Sequence, residues 1–366
     1  MIGVELLVGA GAFWGRARAD ALAAGRRLLV QAMTFEGDDA GKAVAQAISA
    51  SPAADRRVLV DAYSLAVVSD RWVRGPWLAA GLRREVADTD AMFRALMAAG
   101  VGVRVANPFT PWLANYPARN HKKLIVADDV VYLGGVNFSD HNFAWRDLML
   151  RIEHAGMAAF LSGDFEATWN GSPVAATGEF DNIGLRCLDG RTNDTFFAEF
   201  ADLVGRARSE IVVVSAYLTF PFTEPLALAV KRGVRVRLIT PWRNNKPLVR
   251  DQLLRFAAKS GFDVVLTPEM SHLKGLVIDN EILVAGSCNF DFAGLAAEEE
   301  LIAIVADRDL AADFHSLVVA PAEAEAAAPR RVSALRGAVA SATLRLAAAF
   351  AARARAGPRT AVDWGA

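Results

Sequence analysis

Cysteine, lysine and histidine are scarce in this chain of 366 residues, and each scarcity narrows what it can be. The two cysteines, Cys187 and Cys288, have no CxxC partner. A disulfide framework is therefore not indicated, which suits a reducing compartment. Positive charge is not in excess either. The formal net charge is −1, which argues against a nucleic-acid binder that relies on a broad cationic surface, though a local patch stays open. There is no run of roughly 18 uncharged apolar residues of the kind that spans a bilayer. The N-terminal stretch Met1 to Trp14 is apolar but contains Glu5, lacks an early cationic segment and is soon followed by Arg16 and Arg18. It reads as neither signal peptide nor membrane span, so any bilayer contact is expected to be peripheral from a cytoplasmic location, at the inner face of the membrane.

What is present is a globular composition, 53% hydrophobic and 22% charged, on a chain long enough for two domains. It is organised around one short stretch that occurs twice. The first copy runs from His121 through Lys123 to Asp128, followed by Gly134-Gly135-Val136-Asn137. The second runs from His272 through Lys274 to Asp279, followed by Gly286-Ser287-Cys288-Asn289. With five His and seven Lys in the chain, any one His finds Lys at +2 and Asp at +7 by chance on the order of once in a thousand. Two of the five do so, which is not coincidence.

In each copy a short, mostly β-branched run leads to a polar pair and a second apolar run, which reads as a β-hairpin. Residues two apart on a strand share a face, so His121 points with Lys123 and His272 with Lys274. Asp128 and Asp279 fall at the turns and are expected to hold the hairpins. The Asn on each return strand can come back beside its His and Lys. Chemically, one imidazole can attack phosphorus and hold it covalently, and a second can move the proton of the leaving or entering alcohol. Lys and Asn can neutralise the phosphoryl oxygens. Such a reaction needs two imidazoles and no metal. The seven lysines stand against 33 arginines, so lysine at both motifs is a choice of residue type.

The duplicated His-x-Lys-x4-Asp motif resembles the hallmark of the phospholipase D superfamily, over roughly residues 25 to 315, and in character the chain is similar to bacterial cardiolipin synthase-like members. The resemblance implies two similar halves with one active site at their interface. It implies His121 as nucleophile, His272 as general acid and base, and Lys123, Lys274, Asn137 and Asn289 as phosphate binders. It implies a carboxylate behind each His as well, matched by Glu300, eleven residues after Asn289, and Asp147, ten after Asn137. Gly135 and Ser287 occupy corresponding places and are grouped with the phosphate- or substrate-binding residues. The first copy is one residue shorter before its Gly pair.

The duplication extends beyond the motif. Arg27 to Phe35 and Ile211 to Phe220 read as buried strands. Each is followed by a helix, Ala40 to Ala50 or Thr223 to Lys231, and a further strand, Arg57 to Asp61 or Val234 to Pro241. Two parallel βαβ units follow. The expected fold class is α/β, with two similar domains, each a mixed sheet flanked by helices, related by pseudo-two-fold symmetry. The first covers 1–170, a linker 171–184, the second 185–320, and an Ala- and Arg-rich tail 321–366. Arg57, Arg235 and Arg237 read as solvated strand ends. The proline-broken aromatic stretches around Trp72, Pro76 and Trp77 and across 107–117 read equally as acyl-chain contacts or as interface filling. From Arg330 to Arg355 the tail holds six Arg and no acid, with Val332, Leu335, Val339, Leu346 and Phe350 on one helical face. It can lie on an anionic membrane, dock on the protein or remain an extension.

The function expected is phosphatidyl transfer through a phosphohistidine, to an alcohol or to water, with a phospholipid substrate, no cofactor and no nucleic-acid partner. The alternatives are a nuclease or other phosphodiesterase of the same superfamily, or a catalytically silent membrane-associated module.

Overall fold

The computed structural model describes residues 1–72, 80–110, 113–328 and 330–365. Pro76, Trp77, Pro111 and Trp112, part of the aromatic stretches, lie outside the described residues.

Two eight-stranded mixed sheets carry the chain, one per half. In the first, Arg27–Ala32, Asp55–Asp61 and Gly102–Ala106 pair in parallel. Leu124–Ala127, Val130–Gly134 and Leu148–Glu153 continue the sheet antiparallel from the other side of Arg27–Ala32. The second sheet repeats this core. Glu210–Ser215, Arg235–Pro241 and Asp263–Thr267 are parallel. Lys274–Ile278, Ile282–Gly286 and Leu301–Ala306 extend it antiparallel. Helices Asp39–Ala50 and Ala80–Ala98 make the crossovers of the first half, and Thr223–Lys231 and Pro247–Ser260 those of the second.

The strands read as continuous apolar runs because both faces are buried. Leu124 and Val126 enter a core shared by the two halves, whereas Ile125 and Ala127 enter the outer core of the first half. Val277 likewise faces the shared core, and Leu276 and Ile278 the outer core of the second half. Helices Ala155–Trp169 and Arg308–Phe314 contribute Leu161, Phe165, Leu310 and Phe314 to that shared core.

The edges depart from the sequence reading. A strand at Val4–Val8 pairs with Leu148–Glu153 and puts the N-terminal stretch into the first sheet. Residues 171–184, expected as a linker, contain Ala176–Phe180 and the start of Ile183–Cys187. These two strands form a hairpin that is the edge of the second sheet, turning at Asp181 with φ +47°. Their Ala and Gly residues weaken the strand signal, and pairing with Leu301–Ala306 supplies the order. After the last strand of the second half a helix begins at Arg308, and a change to wider winding at His315–Val319 carries it on to Ala320–Ala324.

The tail is ordered and docked. Its 21-residue helix Ala334–Ala354 buries Gly337, Ala340, Leu344, Ala351 and Ala354. Arg336 pairs with Asp251 at 2.7 Å. The chain then crosses back, and Ala361–Asp363 adds an antiparallel strand to Gly102–Ala106 of the first half. The face read as amphipathic points outward, with Leu335 and Leu346 each 75% exposed. Of the three charged strand residues, only Arg235 is well exposed. Arg57 reaches Asp55 and Glu166, and Arg237 reaches Glu210 and Glu323.

Candidate active site

The two motifs sit where the halves meet, and backbone hydrogen bonds cross between them. The His121 N–H donates to the Glu299 carbonyl at 2.9 Å, and the His272 N–H to the Arg146 carbonyl at 2.8 Å. Each His segment is thus held beside the carboxylate-bearing segment of the other half. His121 Nδ1 lies 3.0 and 3.1 Å from the two Glu300 oxygens. His272 Nδ1 lies 2.7 Å from Asp147 Oδ2. An ionised carboxylate can only accept, so Nδ1 of His121 carries the hydrogen and its Nε2 keeps the lone pair, whereas Nδ1 of His272 lies between the Asp147 carboxylate and the Lys274 ammonium. The sequence placed a carboxylate behind each His; the structure shows that the pairing is exchanged between halves.

All four groups are buried. Burial pushes His121 below the usual imidazole value, with Glu300 opposing. Burial and neighbouring Lys274 push His272 down to about 4. Burial alone would raise the carboxyls. The His121 ring holds Glu300 below its ordinary range, and Lys274 and His272 do the same for Asp147. Burial lowers Lys123 to about 7 and Lys274 to about 8. Both ammoniums turn back to the backbone: Lys123 donates to the His121 carbonyl at 2.7 Å and Lys274 to the His272 carbonyl. Lys274 Nζ also lies 2.7 Å from His272 Nδ1.

His121, His272, Asn137 and Asn289 line a single cavity of about 370 Å³. Asn137 Oδ1 accepts from the Thr34 N–H at 3.2 Å, whereas buried Asn289 Oδ1 has no partner among the described residues. Asp128 and Asp279 lie at the hairpin turns, both with φ +52°. Asp128 accepts from the N–H groups of Gly25, Arg26 and Arg27 at 2.8 to 2.9 Å. Asp279 accepts from those of Arg208, Ser209 and Glu210 at 2.8 to 3.0 Å.

Two grouped residues need correcting. Ser287 and Gly135 do not line the cavity, and neither do Lys123 and Lys274, whose ammoniums stand behind the His backbone. The Ser287 hydroxyl donates to Glu300, and a Cβ on Gly135 would lie 2.2 Å from Asp147 Oδ1. Both support a carboxylate and not the phosphate. The longer Glu300 leaves room for a serine behind it; the shorter Asp147 sits against its own strand and needs glycine there.

Sequence reasoning passed over several neighbours. Trp145 and Tyr217 each bring a ring centroid within 5.7 Å of His272. Glu298, two residues before Glu300 as Trp145 is before Asp147, groups its carboxylate with His121 and Glu300, ligand atoms lying within 4.8 Å of one another. That grouping can hold a cation by donor type, but Glu300 is already engaged by His121 and Ser287. Burial raises Glu298 well above the ordinary carboxyl value. Lys122, adjacent to the nucleophile candidate, forms a fully buried pair with Asp164 at 2.6 Å. Glu36 and His141 also line the cavity. The three consecutive glutamates 298–300 were a visible signal; the others have no local signature.

Residues 200–318 match the family model described as cardiolipin synthase, PLD-like domain. Cardiolipin synthase A of Pseudomonas syringae pv. syringae (strain B728a) is 28% identical over 254 residues, 60% of this chain and 51% of that protein. Minor cardiolipin synthase ClsB of Bacillus subtilis (strain 168) is 25% identical over 244 residues, 60% of this chain and 61% of that protein. The chain thus spans between half and two thirds of these relatives' length. Among solved structures, phosphatidylserine synthase of Haemophilus influenzae Rd KW20 superposes with a TM-score of 0.71 at 16% identity. It covers 94% of this chain and 93% of that one, a likeness of fold.

Proposed function

We propose, taking membership of the phospholipase D superfamily as premise, that this chain is a phosphatidyl-transferring phosphodiesterase working through a phosphohistidine. The observation that carries the reading is the exchanged pair of His–carboxylate contacts beside one cavity. In the first step His121 Nε2 attacks phosphorus, the P–O bond to the headgroup breaks, and the departing oxygen takes a proton from His272. In the second, an alcohol or water gives its proton to His272 and attacks phosphorus, and the N–P bond breaks. Lys123, Lys274, Asn137 and Asn289 offset charge on the phosphoryl oxygens. At neutral pH an empty site holds His272 unprotonated; the entering phosphodiester anion raises its basicity and lets it carry the proton.

The cavity wall supports a lipid over a polyanion. The cations in its lining are Lys246 and an Arg119 already tied to Asp61 at 3.0 Å, fewer than a polyanion's phosphates would need. The tail helix supports access from a bilayer: Phe350 both lines the cavity and is 44% exposed, on the face that exposes Leu335, Val339 and Leu346. This helix has the length and a mean hydropathy of 1.2 that a span would need, yet its opposite face is packed on the protein. We place it in the interface of an anionic, inner-face membrane, with its arginines at the headgroups.

The test is turnover of phospholipid against oligonucleotide, with trapping of the covalent intermediate. Phospholipid turnover by the wild-type chain, with a phospho-enzyme that accumulates in His272→Ala on a diester whose leaving group needs no proton and is absent from His121→Ala, supports the scheme. Oligonucleotide turnover alone, or no phospho-enzyme in either variant, contradicts it.

A further inference from the structure

The cavity has a second set of groups that phosphoryl transfer does not use, and they are present on one side only. In the first half the Glu36 N–H donates to the Phe138 carbonyl; in the second the Thr219 N–H donates to the Phe290 carbonyl, so Glu36 and Thr219 are equivalent. His141, four residues after Asn137, has Ala293 as counterpart four after Asn289, and all four residues line the cavity. The Glu36 side chain is 3% exposed and lies 3.9 Å from His141 Nδ1. Beside them Thr34 also lines the cavity, and its buried Oγ1 has no partner among the described residues. Trp145 links this lobe to the reaction centre, its ring centroid 5.1 Å from His141 and 5.7 Å from His272.

We infer that Thr34, Glu36 and His141, with Asp70 and the Trp145 ring, form a headgroup subsite for an ammonium-bearing alcohol. The inference rests on the phosphodiesterase reading and names the alcohol that departs from, or arrives at, the His272 side. Both His141 nitrogens are engaged by Ser139 and Asn142, so the acceptors the lobe offers are Thr34 Oγ1 and the Glu36 and Asp70 carboxyls, which an ammonium satisfies with its N–H groups, adding a cation–π contact to the indole. Burial, together with Asp38, Asp70 and Glu85, pushes Glu36 up to about 8, so it holds its proton in an empty lobe and yields it to a bound cation.

The test is equilibrium binding of two soluble diesters, glycerophosphoethanolamine and glycerophosphoglycerol, to the full chain, read by calorimetry without turnover. The wild-type protein is expected to bind the ethanolamine diester about tenfold more tightly, the scale of one charge-assisted contact. Glu36→Gln is expected to collapse that ratio toward one. Equal binding by the wild type, or an unchanged ratio in Glu36→Gln, overturns the subsite and leaves the phosphodiesterase reading standing. If neither diester binds, the subsite falls, and the phosphodiesterase reading stands or falls on phospholipid turnover.

Discussion

The two halves share six strands in the same order, the same His-x-Lys, and the same carboxylate position, yet they solve each local problem with different residues. His272 is enclosed by the Trp145 and Tyr217 rings, whereas His121 has the Glu298 carboxyl beside it. Glu300 is steadied by the Ser287 hydroxyl, whereas Asp147 rests on Gly135. Leu273 fills the shared core between His272 and Lys274; Lys122 at the same place brings a charge into it and meets Asp164. Symmetric scaffolding with asymmetric lining suits the two-step reaction proposed above, in which one imidazole holds phosphorus while the other handles a proton.

The comparison can be broken most severely at the imidazoles. His121→Ala and His272→Ala are each expected to lower phospholipid turnover by about 10⁴-fold, since both halves of the mechanism are needed. Radiolabelled-lipid assays read this directly, and a variant retaining near-normal rates would make one half dispensable.

The buried charge comes next. Lys122→Met strands the Asp164 carboxylate in the core and is expected to cost about 3–5 kcal/mol of stability. The double change Lys122→Leu with Asp164→Leu, which copies the apolar solution of the second half, is expected to recover most of that loss. Urea unfolding of the three proteins measures both, and a Lys122→Met protein as stable as the parent would show the pair to be idle.

A smaller effect is expected from exchanging the supports of the carboxylates. Gly135→Ser places a Cβ into Asp147 and is expected to destabilise by about 1–3 kcal/mol. Adding Asp147→Glu reproduces the pattern of the second half and is expected to restore part of the activity. Failure of the pair to improve on Gly135→Ser would mean that side-chain length does not set the choice.

The smallest effect is one of pH. Lys123 and Lys274, lowered by burial to about 7 and about 8, carry their charge below those values and lose it as pH rises through them. The kcat/KM for phospholipid is therefore expected to fall on the alkaline side between about pH 7 and 8, with kcat less affected because the bound phosphate anion raises both lysines. A flat alkaline limb to pH 9 would show that the lysines do not meet phosphate as cations.

Much of this fold was legible in the sequence for a physical reason. Strands buried on both faces, such as 124–127 and 211–214, read as unbroken β-branched runs, and polar turns with Asp128 or Asp279 mark the hairpins. The duplicated spacing marked the histidines and asparagines that line the cavity, because in each half they are local to one hairpin, whereas Lys123 and Lys274 from the same motifs stand outside the lining. Edge elements were less legible. Ala176–Phe180 and Ala361–Asp363 are short, weak in strand propensity and ordered by partners far away in the chain. The exchange of carboxylates between halves could not be read either. Glu300 is 179 residues from His121, and nothing in the spacing tells a partner in the same half from one across the interface. The tail was read as a helix with an apolar face, but that face points outward and small residues such as Gly337 and Ala340 make the contact.

The central claim, that each half of the chain orients the imidazole of the other, is tested most directly by rapid-quench measurement of phospho-enzyme in two conservative variants. Asp147→Asn is predicted to accumulate the intermediate, as His272→Ala does, because Asp147 serves His272. Glu300→Gln is predicted to form little of it, as His121→Ala does. The reverse pattern, with Asp147→Asn unable to form the intermediate and Glu300→Gln accumulating it, would mean that each carboxylate serves its own half and would contradict the account.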